Sequence, residues 1–481
     1  MPVRTVPVRN PRTGEIDHEI AAADAAGVAE AASRLRSNQA AWRDLGVEGR
    51  VDVMKRWLAE FSKQAAAFGE LEAIDTGGTH TSYAQGYITM ANVQGWIEDA
   101  AEALRDAAGG ARASATMPSV SVTAQLVPYP LTGIISPWNA PTMLALLDAI
   151  PALFAGSAVL WKPSEVTPRF VPTFFETVRA VPELAAVFDY VLGDAATGEA
   201  LVQQADVVCF TGSVETGRKV AVACAQRLIP AYLELGGKDP AIVTASADLD
   251  RATTAILYGA TYATGQVCYS TERIYVDRSV HDDFVDLLVT KAQQVRLSYD
   301  NPKAGHLAPF TFGPQAEAVM GHLDDAVAKG AQVLTGGKVE IHAGGKYMRP
   351  TVVTGIDHTM QIMRDETFGP IMPVMAYDDI AEAIALANDT EYGLTASVLA
   401  GTAEEATGIG EQLNAGSIFL QDTFLTFGKA RTIGTHAFGN SGVGGGRTGK
   451  DSILRFVRKK ALMLQNGEPT SILDNWYEER D

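Results

Sequence analysis

The pattern of hydrophobic and polar positions changes character along the chain. From about Ala21 to Gly109, Ala-rich segments carry apolar residues at helical spacing. This spacing predicts helices that cover a sheet. Residues 117–137 then switch to β-rich runs separated by turns, which predicts an extended hairpin leading into a sheet.

Short apolar runs alternate with amphipathic segments twice, first between residues 157 and 276 and again from 281 to about 430. Alternation of this kind is typical of parallel strands joined by helical crossovers. We therefore expect an α/β fold with two doubly wound, Rossmann-like domains in tandem. A further strand is predicted near residues 459–466.

The apolar stretch at residues 141–161 is long enough to resemble a membrane span. However, Asp148 lies in the middle of it and Pro151 divides it. We interpret it as a buried helix followed by a buried strand.

Composition fits an ordinary globular protein of more than one domain. The 481 residues are 47% hydrophobic and 20% charged, and the net charge is −18. This charge argues against binding to nucleic acid or anionic membranes, since both interactions depend on clustered Lys and Arg. The N-terminal segment has no apolar core of a signal peptide, so no export is expected.

The three cysteines, Cys209, Cys224 and Cys268, are too few for a disulfide framework and lack metal-ligand spacing. They indicate a reducing cytoplasm and predict no metal site. Cys209 in an apolar strand and Cys224 on a helix are interpreted as inert buried thiols. Cys268, in "TGQVCYSTER", is either a third buried thiol or a nucleophile.

Three short segments carry candidate chemistry. In "DVVCFTGSVETG", Gly212 and Ser213 stand where a helix N-terminus would offer N–H groups to a pyrophosphate, although a plain tight turn is the alternative. In "WKPSEVTP", Glu165 could bind ribose hydroxyls and repel a 2′-phosphate, which favours NAD over NADP; the alternative is a solvated Lys162–Glu165 charge pair.

The third segment is "LELGGK", in which Glu234 precedes a Gly-Gly turn. A carboxylate in a closed apolar site has a raised pKa and can act as a general base. A purely structural carboxylate is the alternative interpretation.

Six motifs in order carry a family resemblance: "ISPWNAP", "WKPSEVTP", "FTGSVETG", "LELGGK", "GQVC" and "ETFGP". Together they resemble the NAD(P)-dependent aldehyde dehydrogenase superfamily, and the 34-residue interval from Glu234 to Cys268 is similar to that of the family. The resemblance extends over nearly the whole chain.

The resemblance implies a role for each matched residue. Cys268 is the nucleophile, Glu234 activates the water that hydrolyses a thioester, and Asn139 helps to bind the oxyanion. The implied cofactor contacts are Ile135, Ser136, Pro137, Trp138, Lys162, Ser164, Glu165, Gly193, Gly198, Phe210, Thr211, Gly212, Ser213, Leu235, Gly236, Glu366 and Phe368.

The resemblance also implies a domain plan and an assembly. Residues 1–116 and 138–235 form an NAD-binding domain, 236–430 a catalytic domain, and 117–137 with 455–470 an oligomerisation β element. NAD is expected as cofactor, with NADP the less favoured choice. The expected assembly is a homodimer or homotetramer.

Two regions depart from the family pattern. The Gly-rich segment at residues 438–449 is compressed, although Arg447 remains recognisable, and the turn with Gly193 and Gly198 is shorter than usual. The predicted substrate contacts are Met143, Leu147, Val267 and Tyr269. Their apolar character favours a hydrophobic or aromatic aldehyde, while simple packing is the alternative.

Two other functions stay open at this point. One is a CoA-acylating semialdehyde dehydrogenase, although such enzymes typically lack the Glu234 base. The other is a catalytically silent binding protein with the same fold.

Overall fold

The computed structural model describes residues 4–78, 80–429 and 432–469. Its N-terminal part consists of a hairpin, four helices and two further strands. Asp24 begins the first helix by accepting a hydrogen bond from the Gly27 N–H at 2.8 Å. The elements are β1 (Thr5–Arg9), β2 (Ile16–Ala21), α1 (Ala25–Asp44), α2 (Gly46–Ser62), α3 (Ala65–Thr76), α4 (His80–Ala108), β3 (Arg112–Ala113) and β4 (Val120–Pro128).

A six-stranded sheet follows, built from short buried strands that alternate with helices. The elements are β5 (Leu131–Ile135), α5 (Pro141–Ala155), β6 (Ala158–Lys162), α6 (Val171–Arg179), α7 (Pro182–Ala185), β7 (Phe188–Tyr190), α8 (Ala195–Gln204), β8 (Val207–Thr211), α9 (Val214–Gln226) and β9 (Ala231–Glu234). These strands are all parallel, in the order β9-β8-β5-β6-β7.

The second series forms a seven-stranded sheet in the order β12-β15-β16-β11-β10-β18-β19, parallel except for β12. The elements along this part of the chain are β10 (Asp239–Val243), α10 (Leu249–Thr261), β11 (Thr271–Asp277), α11 (His281–Gln293), α12 (Gly313–Ala328), β12 (Gln332–Thr335), β13 (Val339–His342), β14 (Gly345–Met348), β15 (Thr351–Thr354), α13 (Gln361–Arg364), β16 (Ile371–Tyr377), α14 (Ile380–Asn388), β17 (Tyr392–Gly393), β18 (Thr395–Leu399), α15 (Ala403–Gly410) and β19 (Ser417–Leu420). Strands β13 and β14 pair with each other in a separate sheet, and β17 also lies outside the seven-stranded sheet. The predicted pair of doubly wound α/β units is confirmed.

The strands of the C-terminal part include two that pair with strands from much earlier in the chain. This part comprises α16 (Thr426–Lys429), β20 (Phe438–Gly439), β21 (Gly442–Val443) and β22 (Val457–Gln465), with a 3-10 turn at Lys450–Phe456. Strand β21 adds antiparallel to β9 and places Gly442 opposite Glu234. Strand β22 pairs antiparallel with β4 along its full length, and β3 completes this three-stranded sheet.

The predicted hairpin over residues 117–137 is wrong. Strand β4 belongs to the three-stranded sheet, whereas β5 lies inside the six-stranded sheet between β6 and β8. The reason is burial: β5 is almost wholly buried, as a central parallel strand must be, whereas β4 is only partly buried. Residues 131–135 therefore do not belong to the predicted oligomerisation β element. The rest of the predicted domain division stays a proposal.

The apolar stretch at residues 141–161 forms α5 and β6, as predicted. Its Asp148 is fully buried, and the carboxylate accepts hydrogen bonds from Arg447 at 2.7 Å and Arg455 at 2.9 Å. Pairing of this kind is what a buried charge requires. Among the helices described, none has the length and apolar character needed to cross a membrane.

Candidate active site

A cavity of about 850 Å³ lies beside the carboxyl ends of β5, β6, β8 and β9. Ligands of open α/β sheets commonly bind at this edge. Every predicted cofactor residue except Gly193 lines the cavity. Its wall also includes residues that were not predicted to contact the cofactor, namely Leu144, Asp194, Ala195, Glu199, Val202, Gln203, Thr216, Lys219, Val220, Ala223, Phe312 and Gln315.

Two motifs shape this wall. Ser213 is the N-cap of α9, and its hydroxyl accepts a hydrogen bond from the Thr216 N–H at 3.4 Å. Lys162 is 4% exposed, and its Nζ lies 2.7 Å from Glu165 Oε2. Burial of this lysine in a cavity wall does not fit the solvated-loop interpretation of the pair.

Gly193 lies outside the cavity, contrary to its predicted role, and serves packing instead. Its φ is +150°, and a Cβ there would lie 2.0 Å from Thr197 Oγ1. The Thr197 hydroxyl in turn donates to the Ala23 carbonyl at 2.7 Å. The glycine therefore allows α8 to approach the chain closely, while its neighbours Asp194 and Ala195 reach the cavity.

A second cavity of about 300 Å³ is lined by Glu234, Cys268, Met143, Leu147 and Tyr269. The predicted substrate contact Val267 lines neither cavity, because it is buried in a tight turn closed by the Ser270 N–H bond to its carbonyl. Leu144, which the sequence also predicts to face the substrate, lines the same cavity. The wall also contains residues that sequence reasoning did not assign to substrate: Ile88, Thr89, Ala91, Asn92, Trp96, Leu146, Thr211, Leu235, Leu394, Thr395, Ser417, Thr426, Thr435, His436, Ala437, Gly446, Arg447 and Thr448.

Cys268 lines both cavities and so stands where they meet. Asn139 lines the larger cavity and Glu234 the smaller one. The Asn139 Nδ2 donates a hydrogen bond to the Gln266 carbonyl at 2.9 Å, which fixes the amide beside the cysteine loop. Cys209 and Cys224 are buried and line neither cavity.

The surroundings of Cys268 favour the neutral thiol. Burial raises the pKa of Cys268 well above its ordinary value, and the carboxyl groups of Glu366, Asp239 and Glu234 act in the same direction. Arg447 opposes them. The thiol must therefore lose its proton before it can act as a nucleophile.

A buried ion pair supports the "ETFGP" segment. Glu272 accepts hydrogen bonds from Lys238 Nζ at 2.7 Å and from the N–H groups of Thr367 at 2.8 Å and Phe368 at 2.7 Å. Phe368 adopts φ +54° under this restraint. The Glu366 Oε1 accepts the Gly237 N–H at 3.0 Å, and burial raises the pKa of Glu366.

Arg447 joins the C-terminal segment to the site. Its guanidinium donates to Asp148 and to the Thr211 hydroxyl, and the pair with Asp148 is 2.7 Å long. The same side chain lines the smaller cavity. Over the described residues, no group of three or more potential metal-ligating side chains is found.

The chain matches the family model described as "Aldehyde dehydrogenase family" over residues 2–462. It belongs to the aldehyde dehydrogenase family. The Mycolicibacterium smegmatis protein named "Putative succinate-semialdehyde dehydrogenase [NADP(+)]" is 35% identical over 95% of this chain and 88% of its own length.

Solved structures agree with this aldehyde dehydrogenase in fold. "Putative Aldehyde Dehydrogenase PutA from Anabaena variabilis" is 44% identical, covers 98% of this chain and 99% of its own, and has a TM-score of 0.94. Betaine aldehyde dehydrogenase from Staphylococcus aureus, solved in complex with NAD+, is 26% identical with a TM-score of 0.90, over 99% of this chain and 94% of its own.

Proposed function

We propose that this aldehyde dehydrogenase oxidises a hydrophobic or aromatic aldehyde to its carboxylic acid with NAD, using Cys268 as nucleophile and Glu234 as base. The observation that carries the proposal is the position of Cys268 at the junction of two cavities of different character. A thiol at such a junction can reach a substrate on one side and a cofactor on the other.

The larger cavity suits a dinucleotide. It combines the N-terminus of α9, a suitable position for phosphate, with the Lys162–Glu165 pair and the aromatic ring of Phe368. Glu165 supports NAD, because a carboxylate there repels a ribose 2′-phosphate. The names of related proteins include both NADP and NAD, so cofactor choice is part of the test.

The reaction begins at Cys268. Its Sγ gives up its proton to solvent water and forms a bond to the aldehyde carbon, while the carbonyl oxygen takes the electron pair. The Asn139 amide is suited to stabilise that oxyanion, and removing one such donor typically costs about 3–4 kcal/mol of barrier. When bound, the dinucleotide supplies the hydride acceptor needed to convert this adduct into a thioester.

Glu234 completes the sequence and argues for hydrolysis. Its carboxylate can take a proton from water as the water oxygen bonds to the thioester carbon and the carbon–sulfur bond breaks. The products are the acid and the Cys268 thiol. A CoA-acylating enzyme has no need of this base, and a silent binding protein needs neither group.

A turnover assay with NAD and NADP in parallel tests the proposal, using benzaldehyde, decanal and glycolaldehyde. We expect higher kcat/KM for the two apolar aldehydes and for NAD. Cys268→Ala should lower turnover about a thousandfold or more, because the covalent route is lost. Cys224→Ala, a buried thiol outside both cavities, is the matched control and should retain activity. Preference for glycolaldehyde, or activity in Cys268→Ala, would contradict the proposal.

The role of Glu234 is tested separately with Glu234→Gln. We expect a rapid burst of about one reduced cofactor per site, followed by slow turnover, because acylation persists while hydrolysis fails. Stopped-flow absorbance of reduced cofactor measures both phases. Wild-type turnover that depends on added CoA would favour the CoA-acylating alternative.

A further inference from the structure

A buried ion pair lies next to the wall of the larger cavity without being part of it. Lys238 Nζ is 2.7 Å from Glu272 Oε2, and the two side chains are 0% and 3% exposed. Neither residue lines the larger or the smaller cavity. A buried ion pair often adds no net stability, because the desolvation of both charges offsets their attraction. The position of this pair therefore calls for an explanation other than stability.

The Glu272 carboxylate fixes the backbone of the "ETFGP" segment. Its Oε2 accepts the Thr367 N–H at 2.8 Å and its Oε1 the Phe368 N–H at 2.7 Å, so both oxygens are used. Successive N–H groups of this kind form a concave site for an anion. Phe368 adopts φ +54°, a conformation that is costly for a bulky side chain and persists only where the surroundings impose it. The carboxylate supplies that restraint.

The restrained segment presents two side chains to the larger cavity, Glu366 and Phe368. The Phe368 ring packs edge-to-face against Trp138, with 5.5 Å between the ring centroids. Glu366 Oε1 accepts the Gly237 N–H at 3.0 Å. Both side chains are therefore held at the cavity wall, and the backbone conformation that Glu272 imposes sets where they stand.

Lys238 connects the same carboxylate to the "LELGGK" segment. It comes two residues after Gly236, and its Nζ donates to the Thr367 hydroxyl at 3.0 Å as well as to Glu272. Gly236 lines the larger cavity, and a Cβ there would lie 2.4 Å from Glu366 Oε2. The two segments thus fit closely at the cavity wall, and the ion pair fixes one relative to the other.

From these contacts we infer that Glu272, paired with Lys238, is a positioning residue for the nicotinamide end of the cofactor. It lies outside the cavity and acts through Glu366 and Phe368. This inference rests on the proposed function, which places a dinucleotide in the larger cavity. The adenosine and phosphate end is assigned to other elements, around β6 and the start of α9. Loss of the Glu272 carboxylate should therefore affect one end of the cofactor and not the other.

The test compares the Kd of NAD with the Kd of ADP, which lacks the nicotinamide riboside, by isothermal titration calorimetry. The wild type should bind NAD more tightly than ADP. Glu272→Gln keeps the shape of the side chain, but its amide NH2 cannot accept an N–H. We expect its Kd for NAD to rise about tenfold, because the wall is no longer preorganised, while its Kd for ADP stays within about twofold.

A second measurement follows hydride transfer itself. Stopped-flow absorbance of reduced cofactor in a single turnover at saturating NAD removes the effect of weaker binding. A displacement of about 1 Å can cost about a hundredfold in rate, so the Glu272→Gln rate should fall at least about tenfold. Benzaldehyde deuterated at its formyl carbon should react more slowly, which identifies the observed step as hydride transfer.

A double variant keeps the test decisive if Glu272→Gln does not fold. Removal of one partner from a buried ion pair is strongly destabilising, because the other charge is left uncompensated. Glu272→Gln combined with Lys238→Met removes both charges and should unfold at a higher temperature than Glu272→Gln alone. It should show the same loss of NAD affinity, because the Thr367 and Phe368 N–H groups still lack their carboxylate.

Asp75→Asn is the matched control. Asp75 is also a fully buried carboxylate beside a cation and a backbone N–H, with the Arg169 Nε and N each 2.6 Å away. It lines neither cavity. The control should keep the wild-type ratio of the Kd for NAD to the Kd for ADP.

Three outcomes would overturn the inference while leaving the proposed function intact. One is an NAD affinity that neither Glu272 variant changes. A second is an equal loss of NAD and ADP affinity, which would assign the ion pair to general stability. A third is a wild type that binds ADP as tightly as NAD, since the nicotinamide end would then not be held. A wild type that binds no NAD and oxidises no aldehyde, by contrast, would refute the proposed function itself.

Discussion

Glu72 illustrates how a single buried carboxyl can couple this fold to pH. It lies on α3, is 1% exposed, and accepts a hydrogen bond from the Thr142 hydroxyl at 2.7 Å. Thr142 stands in the first turn of α5, three residues after Asn139. Burial raises the pKa of Glu72 to about 8, so the neutral acid is its stable form at neutral pH.

Replacement of this carboxyl should change how stability depends on pH. The folded-state pKa of Glu72 is raised above its unfolded value, so the folded protein holds a proton that the unfolded chain loses. The resulting stabilisation is full below about pH 4.5 and is lost as pH rises through about 8. Its size is of the order of 5 kcal/mol, from a shift of the Glu72 pKa from 4.5 to about 8.

Glu72→Gln should remove this dependence. Relative to wild type, the variant should gain stability between pH 5.5 and pH 8.5, as measured by denaturant unfolding at both values. Glu176→Gln changes an exposed carboxyl on α6 and should follow the wild type at both pH values. Equal losses for wild type and Glu72→Gln across this range would refute the assignment.

At the residue scale, sequence reasoning located groups whose chemistry is carried by local motifs. Cys268 lines both cavities, Asn139 the larger one and Glu234 the smaller one, and their catalytic roles remain a proposal. Thr89 and Asn92 of the smaller cavity could not be found in this way, because a threonine and an asparagine on a covering helix are ordinary surface-facing residues until packing buries them. Val267 was predicted to contact substrate, but it is buried in a tight turn, and residue spacing does not specify such a turn.

Helix α9 shows at the element scale how both ends of a helix are fixed. Ser213 caps its start beside the larger cavity. At its end, the Ile229 N–H bonds to the Cys224 carbonyl at 3.1 Å and the Leu228 N–H to the Ala225 carbonyl at 3.0 Å, which is a Schellman motif. This motif places Leu228 at φ +56°, in the left-handed region.

Leu228→Gly should therefore stabilise the protein. Leu228 is 94% exposed, so little packing is lost, while glycine adopts the left-handed conformation without the steric cost of a Cβ. We expect a gain of about 1 kcal/mol in the free energy of unfolding, measured with denaturant. Leu228→Ala keeps the Cβ and should show no such gain, and equal effects of the two variants would contradict the explanation.

For the strands, the sequence predicts which segments form parallel sheets better than it predicts which strand pairs with which. The alternating runs identified the two parallel sheets because buried parallel strands are short and apolar. The β-rich runs separated by turns over residues 117–137 predict one hairpin. Instead β4 pairs with β22, more than 300 residues later in the chain, and local pattern contains no information on such a distant pairing.

At the scale of the whole molecule, the three-stranded sheet has an apolar surface that no other element among residues 4–78, 80–429 and 432–469 covers. Leu462, Met463 and Leu464 on β22 are 50%, 74% and 62% exposed. Successive side chains of a strand point to opposite faces, so both faces of β22 are open here. The outer edge of β22 has no paired strand among the described residues. Exposed apolar edges of this kind mark interaction sites or aggregation hazards.

We therefore expect β22 to mediate self-association into a dimer or tetramer. Light scattering after size exclusion should give the wild type a mass that is a multiple of 51.1 kDa. Met463→Glu should lower that mass, because a carboxylate in an apolar contact is left without its hydration. Leu228→Glu introduces the same charge at a leucine that is more exposed but stands apart from the sheet, so it should keep the wild-type mass. A wild type of 51.1 kDa would exclude the assembly, and an oligomeric Met463→Glu would place the interface elsewhere.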